Sequence, residues 1–305
     1  MADLRTRLAG MDMDNPTILA SGILGQTGES LLRIVKEGGA GATVTKSIGL
    51  EPRHGHGNPC MVETDCGFLN AMGLPNPGID CFGDEVKMAL RGGAPVICSV
   101  FAADAVGFEE LARKMESYGA HAVELNLSCP HAERYGLDIG SDPAKVGEIV
   151  AAVKDAVKIP VFAKLSPMVP DIASIAIAVQ DSGGDGVVAI NTVKGMAIDV
   201  EFGMPVLRNA VGGLSGPAIK PAGVRAVYEI AGKVQIPVIG VGGISNGLDA
   251  VEYMMAGANA IQIGSAVRHR GLDVFKKVCR EMADFMDSRG YSKTSELVGI
   301  ARRND

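Results

Sequence analysis

The 305-residue sequence predicts one α/β domain over 1–305, a (β/α)8 TIM barrel with long insertions at the C-terminal face of the strands. Three observations carry this reading. Eight short apolar runs rich in Val and Ile recur, at 17–22, 42–46, 95–100, 122–128, 160–166, 186–192, 237–243 and 260–265. Continuous apolar runs of this length suit parallel strands buried on both faces. Helical patterns follow the runs, and no shift in composition marks a second domain. A doubly wound sheet, which uses the same alternation in another strand order, is the runner-up.

In order along the chain, the first run ends Ala20-Ser21-Gly22 and the second ends at Lys46, with Ser47 next. Residues 47–94 then separate the second run from the third. They are rich in Gly, Pro and Asn, apart from a helical pattern at about 80–90. Pro95 opens the third run, as Pro160 and Pro237 open the fifth and seventh, which fits the first position of a strand. The segment 108–118 places Leu111, Met115 and Tyr118 on one helical face and stops at Gly119. The fourth run leads into Asn126-Leu-Ser-Cys-Pro-His131, under a Gly-rich loop at 136–140 that can open. Ser141-Asp142-Pro143 starts the next helix, with Val146, Ile149, Val150 and Val153 on its apolar face.

The fifth strand ends at Lys164, and helix 171–182 stops at Gly183-Gly184. The sixth ends Asn191-Thr192, and 193–220 lies between it and helix 221–231. The seventh ends Gly240-Val-Gly-Gly243, after which Ser245-Asn246 caps helix 248–256. The eighth ends Gly264-Ser265, and 274–288 is the last long helix. In a barrel all eight strand ends meet at one mouth. The two long gaps follow strand C-termini, so they read as a cover over that mouth.

Composition narrows the function. The net charge is −6, and without a basic stripe neither nucleic acid nor an anionic membrane is an expected partner. No apolar stretch of about 18 residues predicts a transmembrane helix, and the N-terminus does not read as a secretory signal, so a cytoplasmic protein is expected. The six cysteines (60, 66, 81, 98, 129 and 279) form no Cys-x-x-Cys pair and match no zinc or iron–sulfur spacing, so free thiols are expected. His54 and His56 read as solvated loop residues. Glycine is in excess, 40 of 305 against a typical ~7%, which implies turns, tight packing or backbone approach to a ligand.

The strand ends carry the candidate chemistry. Glycine turns at the seventh and eighth ends expose backbone N–H groups beside helix starts, a phosphate-binding arrangement. Lys46 and Lys164 end apolar runs, where each either faces an anionic ligand or snorkels to solvent. Cys129, beyond the end of the fourth strand, is either a base or nucleophile or inert filler. Asn70, Asn76, Asn126 and Asn191 either edge a planar ligand or form turns.

The motifs together resemble one family. They are Asn15-Pro through Ser21-Gly22, Gly57-Asn-Pro59, Glu63-Thr64, Asn70-Ala-Met-Gly-Leu-Pro-Asn-Pro-Gly78, Asn126-Leu-Ser-Cys-Pro130, Ile190-Asn-Thr192, Gly195-Met-Ala-Ile-Asp199 and Gly212-Gly-Leu-Ser-Gly-Pro-Ala-Ile-Lys-Pro221. From about residue 10 to about residue 290 the chain resembles the class 1 dihydroorotate dehydrogenases, most closely the NAD-linked 1B subgroup. That resemblance implies an FMN-containing barrel that oxidises dihydroorotate to orotate in pyrimidine biosynthesis. It implies Cys129 as the base at C5 of dihydroorotate while C6 delivers hydride to the flavin, and Lys164 as the cation beside the N1/O2 edge of that ring. The implied FMN contacts are Ser21, Lys46, Ser47, Ser99, Asn126, Lys164, Ile190, Gly216, Gly242, Gly243, Gly264 and Ser265. The implied substrate contacts are Lys46, Asn70, Ala71, Met72, Gly73, Leu74, Asn126, Asn191 and Thr192.

The sequence departs from the family pattern at His131 and Ser99, where Asn is common. It also departs at Asn76, where Asn-Pro-Gly follows Leu-Pro and the 1B group usually has Leu-Gln. The resemblance further implies a partner subunit carrying FAD and a [2Fe-2S] cluster, and a homodimer core within an α2β2 heterotetramer. Neither an NAD fingerprint nor iron–sulfur ligands occur in this chain. These absences also fit a fumarate-linked class 1A enzyme. A dihydropyrimidine dehydrogenase-type flavoenzyme, a flavin barrel without turnover, and a flavin-free phosphate-barrel isomerase or lyase remain alternatives.

Overall fold

The computed structural model describes residues 2–127 and 137–302. In chain order the first elements are β1 (Thr6–Leu8), β2 (Met11–Met13), β3 (Thr17–Leu19), α1 (Gly28–Lys36), β4 (Ala42–Val44), β5 (Met61–Thr64), β6 (Gly67–Asn70), α2 (Gly83–Leu90) and β7 (Val96–Val100). Next come α3 (Ala105–Ser117), β8 (Ala122–Asn126), α4 (Leu137–Gly140), α5 (Pro143–Ala156), β9 (Val161–Leu165), α6 (Ile172–Asp181) and β10 (Gly186–Ala189). The last are β11 (Val193–Met196), β12 (Ile198–Asp199), β13 (Met204–Pro205), β14 (Val211–Ser215), α7 (Lys220–Ala231), β15 (Val238–Val241), α8 (Gly247–Ala256), β16 (Ala260–Ile263), α9 (Ala266–Arg270) and α10 (Val274–Arg289).

Eight parallel strands close into a barrel in the order β10-β15-β16-β3-β4-β7-β8-β9. Closure removes the doubly wound alternative, because an open sheet would leave two edges. Every residue of these strands is buried, as the continuous apolar runs require. Their outer faces pack on the helices, while the inner faces form a second apolar cluster that includes Ile18, Phe162, Val188 and Ile239. The β1–β2 hairpin adds Leu8, Met11 and Met13 to that inner cluster and so plugs the barrel at the strand starts. Its turn, Ala9-Gly10, has positive φ at both residues, the geometry of a tight two-residue hairpin.

Helix starts follow the capping logic of the sequence. Asp104, Asp142, Asp171 and Asn246 each accept a hydrogen bond from a first-turn N–H of α3, α5, α6 and α8. The sequence reading had no helix between the first two strands, yet α1 lies there. It is only nine residues long, and its apolar residues Leu31, Leu32, Ile34 and Val35 fall in one cluster, so the pattern spans too few turns to stand out. The expected loop at 136–140 is also corrected, since Leu137–Gly140 is one helical turn.

The two long insertions are more ordered than a Gly- and Asn-rich composition suggests. Strands β5 and β6 from the first pair with β14 and β11 from the second, making an antiparallel sheet in the order β11-β14-β6-β5. Leu69, Ala71 and Leu207 form its own small core. Glycines at 195, 212 and 213 hide these strands from propensity reasoning. They are required by close packing: a Cβ on Gly213 would stand 2.2 Å from Thr192 Oγ1. The β12–β13 hairpin carries Ile198, Val200, Phe202 and Met204 exposed on its surface. Among the described residues no helix is long and apolar enough to cross a membrane.

Candidate active site at the barrel mouth

The C-terminal ends of the barrel strands and the underside of the four-stranded sheet enclose a cavity of about 550 Å3, within the size range of cofactor and ligand sites. Strand ends supply Ser21, Lys46, Ser47, Asn126 and Lys164 to its wall. The connection after β10 supplies Ile190, Asn191 and Thr192, while the sheet side supplies Phe68, Asn70, Met72, Gly73 and Leu74. The glycines Gly216, Gly242, Gly243 and Gly264, with Ser265, line the opposite end.

A hydrogen-bonded series crosses this wall. Ser21 Oγ donates to the Thr45 carbonyl at 2.8 Å and lies 3.3 Å from Ser47 Oγ. Asn126 Nδ2 donates to Ser47 Oγ at 3.1 Å, and Asn191 Nδ2 reaches Asn126 Oδ1 at 3.5 Å. Asn191 Oδ1 accepts from the Thr192 N–H at 2.8 Å. Four strand ends are thus tied together by neutral donors and acceptors, which fixes each amide's orientation toward the cavity.

Two lysines supply positive charge to this mostly neutral wall, and both are buried, Lys46 at 8% exposure and Lys164 at 5%. Lys164 Nζ donates to Gln262 Oε1 at 3.1 Å and lies 3.6 Å from Glu124 Oε1. Gln262 Nε2 in turn donates to Glu124 Oε2 at 2.7 Å. Gln262 and Glu124 were not singled out from the sequence. Inside apolar runs, single polar residues carry no periodic signal, and only barrel closure brings β8, β9 and β16 face to face.

The glycine end is built for close approach. Gly216, Gly242 and Gly243 have φ of +96°, +130° and +69°, all in the left-handed half of conformational space. A Cβ on Gly243 would lie 2.8 Å from the Gly216 carbonyl oxygen. Behind them, the buried Tyr253 hydroxyl donates to the Gly242 carbonyl at 2.8 Å. Asp249 Oδ2 accepts from the N–H groups of Ser245 and Asn246, and Asp249 Oδ1 accepts from Lys220 at 2.7 Å. Burial pushes the Asp249 carboxyl up, but the hydrogen bonds from Lys220 and Ser245 outweigh it and hold the group below its usual range. Arg270 donates to the Ser245 carbonyl and forks onto Glu281, which also accepts from the Gly247 N–H.

The sequence of the chain matches relatives of known kind. The family model described as dihydroorotate dehydrogenase matches residues 3–286. The chain is 52% identical to a Methanosarcina acetivorans protein over 96% of this chain and 94% of the relative. It is 52% identical to one from Thermoplasma acidophilum over 99% of this chain and all of the relative, and 53% to one from Methanocaldococcus jannaschii over 98% of each. All three carry the name dihydroorotate dehydrogenase B (NAD(+)), catalytic subunit. The chain belongs to the dihydroorotate dehydrogenase family.

For this dihydroorotate dehydrogenase family member, nearly every residue singled out from the sequence converges on the one cavity, with three differences. Ser99 is fully buried on β7 and hydrogen-bonds to Ser47 Oγ at 2.9 Å, so it stands behind the wall, where a residue at the inner face of a strand centre must lie. Ala71 is fully buried in the small core of the sheet, with its side chain away from the cavity. Asn76 is a turn-former, as its Oδ1 accepts from the N–H groups of Gly49 and Gly78 and its Nδ2 donates to the Leu74 carbonyl.

Cys129 and His131 lie outside the described residues. The other five cysteines are free thiols. Burial pushes the Cys98 thiol up to about 12 and the Cys279 thiol up to about 11, which keeps both protonated and inert at neutral pH. The sequence reading did not place Met61, Phe68 or Arg268 at the mouth, although all three line it. Phe68 stacks on His269 with ring centroids 5.5 Å apart, an arrangement that joins the sheet to α9.

Proposed function

We propose that this chain oxidises dihydroorotate to orotate at the barrel mouth, with FMN as its cofactor, as the catalytic subunit of an NAD-linked class 1B enzyme in pyrimidine biosynthesis. The observation that carries the reading is the convergence, in one cavity, of two buried lysines, a series of neutral amides and a cradle of bare glycine backbone. The residues fit FMN chemically. A phosphate suits the glycine end, where a Cβ on Gly216 would come 2.6 Å from Gly67 and side chains have no room. A planar ring edged with carbonyls and N–H groups suits Asn126, Asn191 and Ser21. Bound FMN supplies a hydride acceptor, which the side chains of the protein cannot provide.

The remaining steps belong to this chain's own residues. Lys46 holds the substrate carboxylate by a charge-assisted bond, and Asn70, Asn191 and Thr192 hold the ring amides. Met72, Gly73 and Leu74 close the sheet side and exclude water. Cys129, three residues beyond the end of β8, takes the proton from C5 as the C6 hydrogen leaves as hydride. Lys164 stabilises negative charge arising at the far side of the site. The relatives' name, catalytic subunit, supports a separate partner subunit; the class 1B resemblance adds the proposal that this partner carries FAD and a [2Fe-2S] cluster and binds a homodimer of this chain in an α2β2 assembly.

Substitution Cys129→Ser tests the reading. FMN should remain bound, while anaerobic flavin reduction by dihydroorotate at neutral pH slows by on the order of 10²–10⁴-fold, the usual weight of a positioned base. An unchanged rate removes Cys129 from the mechanism.

A further inference from the structure

Glu124 has no part in the chemistry described so far, yet it is a carboxyl group at 1% exposure in the centre of the barrel. It sits on β8 two residues before Asn126, so both side chains face the interior. Lys164 on β9 is in register with Asn126, and Phe162, two residues before it, belongs to the inner apolar cluster. Gln262 on β16 follows Ala260 of that cluster in the same way. The three polar side chains meet between the apolar plug beneath and the cavity above.

Gln262 bridges the two charged side chains. Its carbonyl oxygen accepts from Lys164 and its amide N–H donates to Glu124. That arrangement suits an ammonium on one side and a carboxylate on the other. Glu124 Oε1 has no hydrogen-bond partner among the described residues, and Lys164 Nζ lies 3.6 Å away. A carboxylate this deep is costly unless a cation answers it, and the converse holds for the ammonium.

We propose that Glu124 is a positioning residue: it is the fixed counter-ion of the Lys164 ammonium and, through Gln262, aims it at the mouth of the barrel. This rests on the reading above, in which Lys164 faces a bound flavin. The Glu124–Lys164 pair is neutral as a unit, so an uncharged ligand does not meet an uncompensated cation. When negative charge arises in the cavity, the ammonium is already in place and no proton has to be fetched. Among the described residues, the charged groups at this cavity with Lys164 are Glu124 on β8, the Lys46 ammonium at the end of β4 and the Arg268 guanidinium on α9, with neutral Gln262 on β16.

The test is the pH dependence of the flavin midpoint potential in the purified FMN-loaded protein, from about pH 6 to about pH 9, well below the ordinary lysine range. In Glu124→Gln the ammonium is buried without its counter-ion. It should lose its proton beside oxidised flavin and regain it on reduction, which steepens the potential–pH slope by one extra proton per two electrons. Lys164→Met should shift the potential without adding that slope, and Glu124→Gln/Lys164→Met should match Lys164→Met alone. If Glu124→Gln does not fold, Glu124→Met removes the same charge within apolar surroundings and should steepen the slope in the same sense. A wild-type slope in the folded Glu124 variant, alongside a shifted potential in Lys164→Met, overturns the proposal. A potential that Lys164→Met leaves unmoved instead overturns the placement of Lys164 beside the flavin.

Discussion

At the residue scale, the site depends on positions where a side chain is either indispensable or excluded. Gly243 is of the second kind, with φ +69° and a would-be Cβ 2.8 Å from both the Gly216 oxygen and Lys220 Cβ. Gly243→Ala should fold, because the strain falls in the loop between β15 and α8 and not in a barrel strand. It should weaken FMN binding at least tenfold, about 1.4 kcal/mol, as read by titration of the flavin-free protein. Wild-type affinity would show that the glycine end is not the phosphate site. The strand-end residues were legible in the sequence because barrel geometry assigns every strand terminus to one mouth. Glu124 and Gln262 were not, since their meaning comes from partners 138 residues apart, joined only by closure. Asn76 shows the opposite limit: a motif full of asparagines does not reveal which of them turns the chain and which faces the cavity.

At the scale of elements, the loop between β15 and α8 is held by a charge network rather than by apolar contact. Asp249 accepts bonds from Ser245 and Asn246 while completing a capping box with Asn246, and Lys220 answers its charge. Asp249→Asn should cost about 1–2 kcal/mol in thermal or denaturant unfolding and loosen the adjacent glycine turn. The sign of its pH dependence follows from the lowered carboxyl. An acid held below its unfolded value stabilises above that value, roughly pH 4, and loses this contribution as pH falls through the folded value. The gap between wild type and variant should therefore be full at neutral pH and narrow under acid. A gap that stays constant down to about pH 3 would mean the charge is not what stabilises the turn. Helices with wide apolar faces and Asx caps were readable in advance. Helix α1 and the sheet over the mouth were not, because one is only nine residues long and the other is made of glycine-containing strands whose pairing is set by register between distant segments.

At the scale of the whole molecule, the two insertions share a single sheet, so the cover of the site is one body rather than two independent flaps. The barrel plugs its lower end with an N-terminal hairpin and leaves its upper end for the ligand. An enzyme of this design takes electrons from dihydroorotate and passes them to a partner, and one measurement tests that most directly. The purified FMN-loaded chain is reduced anaerobically with dihydroorotate and then offered fumarate, NAD, or NAD together with its co-purified electron-transfer subunit. Dihydroorotate should bleach the flavin, neither fumarate nor NAD alone should restore it, and NAD with the partner should. Failure of dihydroorotate to reduce the flavin would contradict the assignment of the site, and rapid reoxidation by fumarate alone would contradict the NAD-linked assignment.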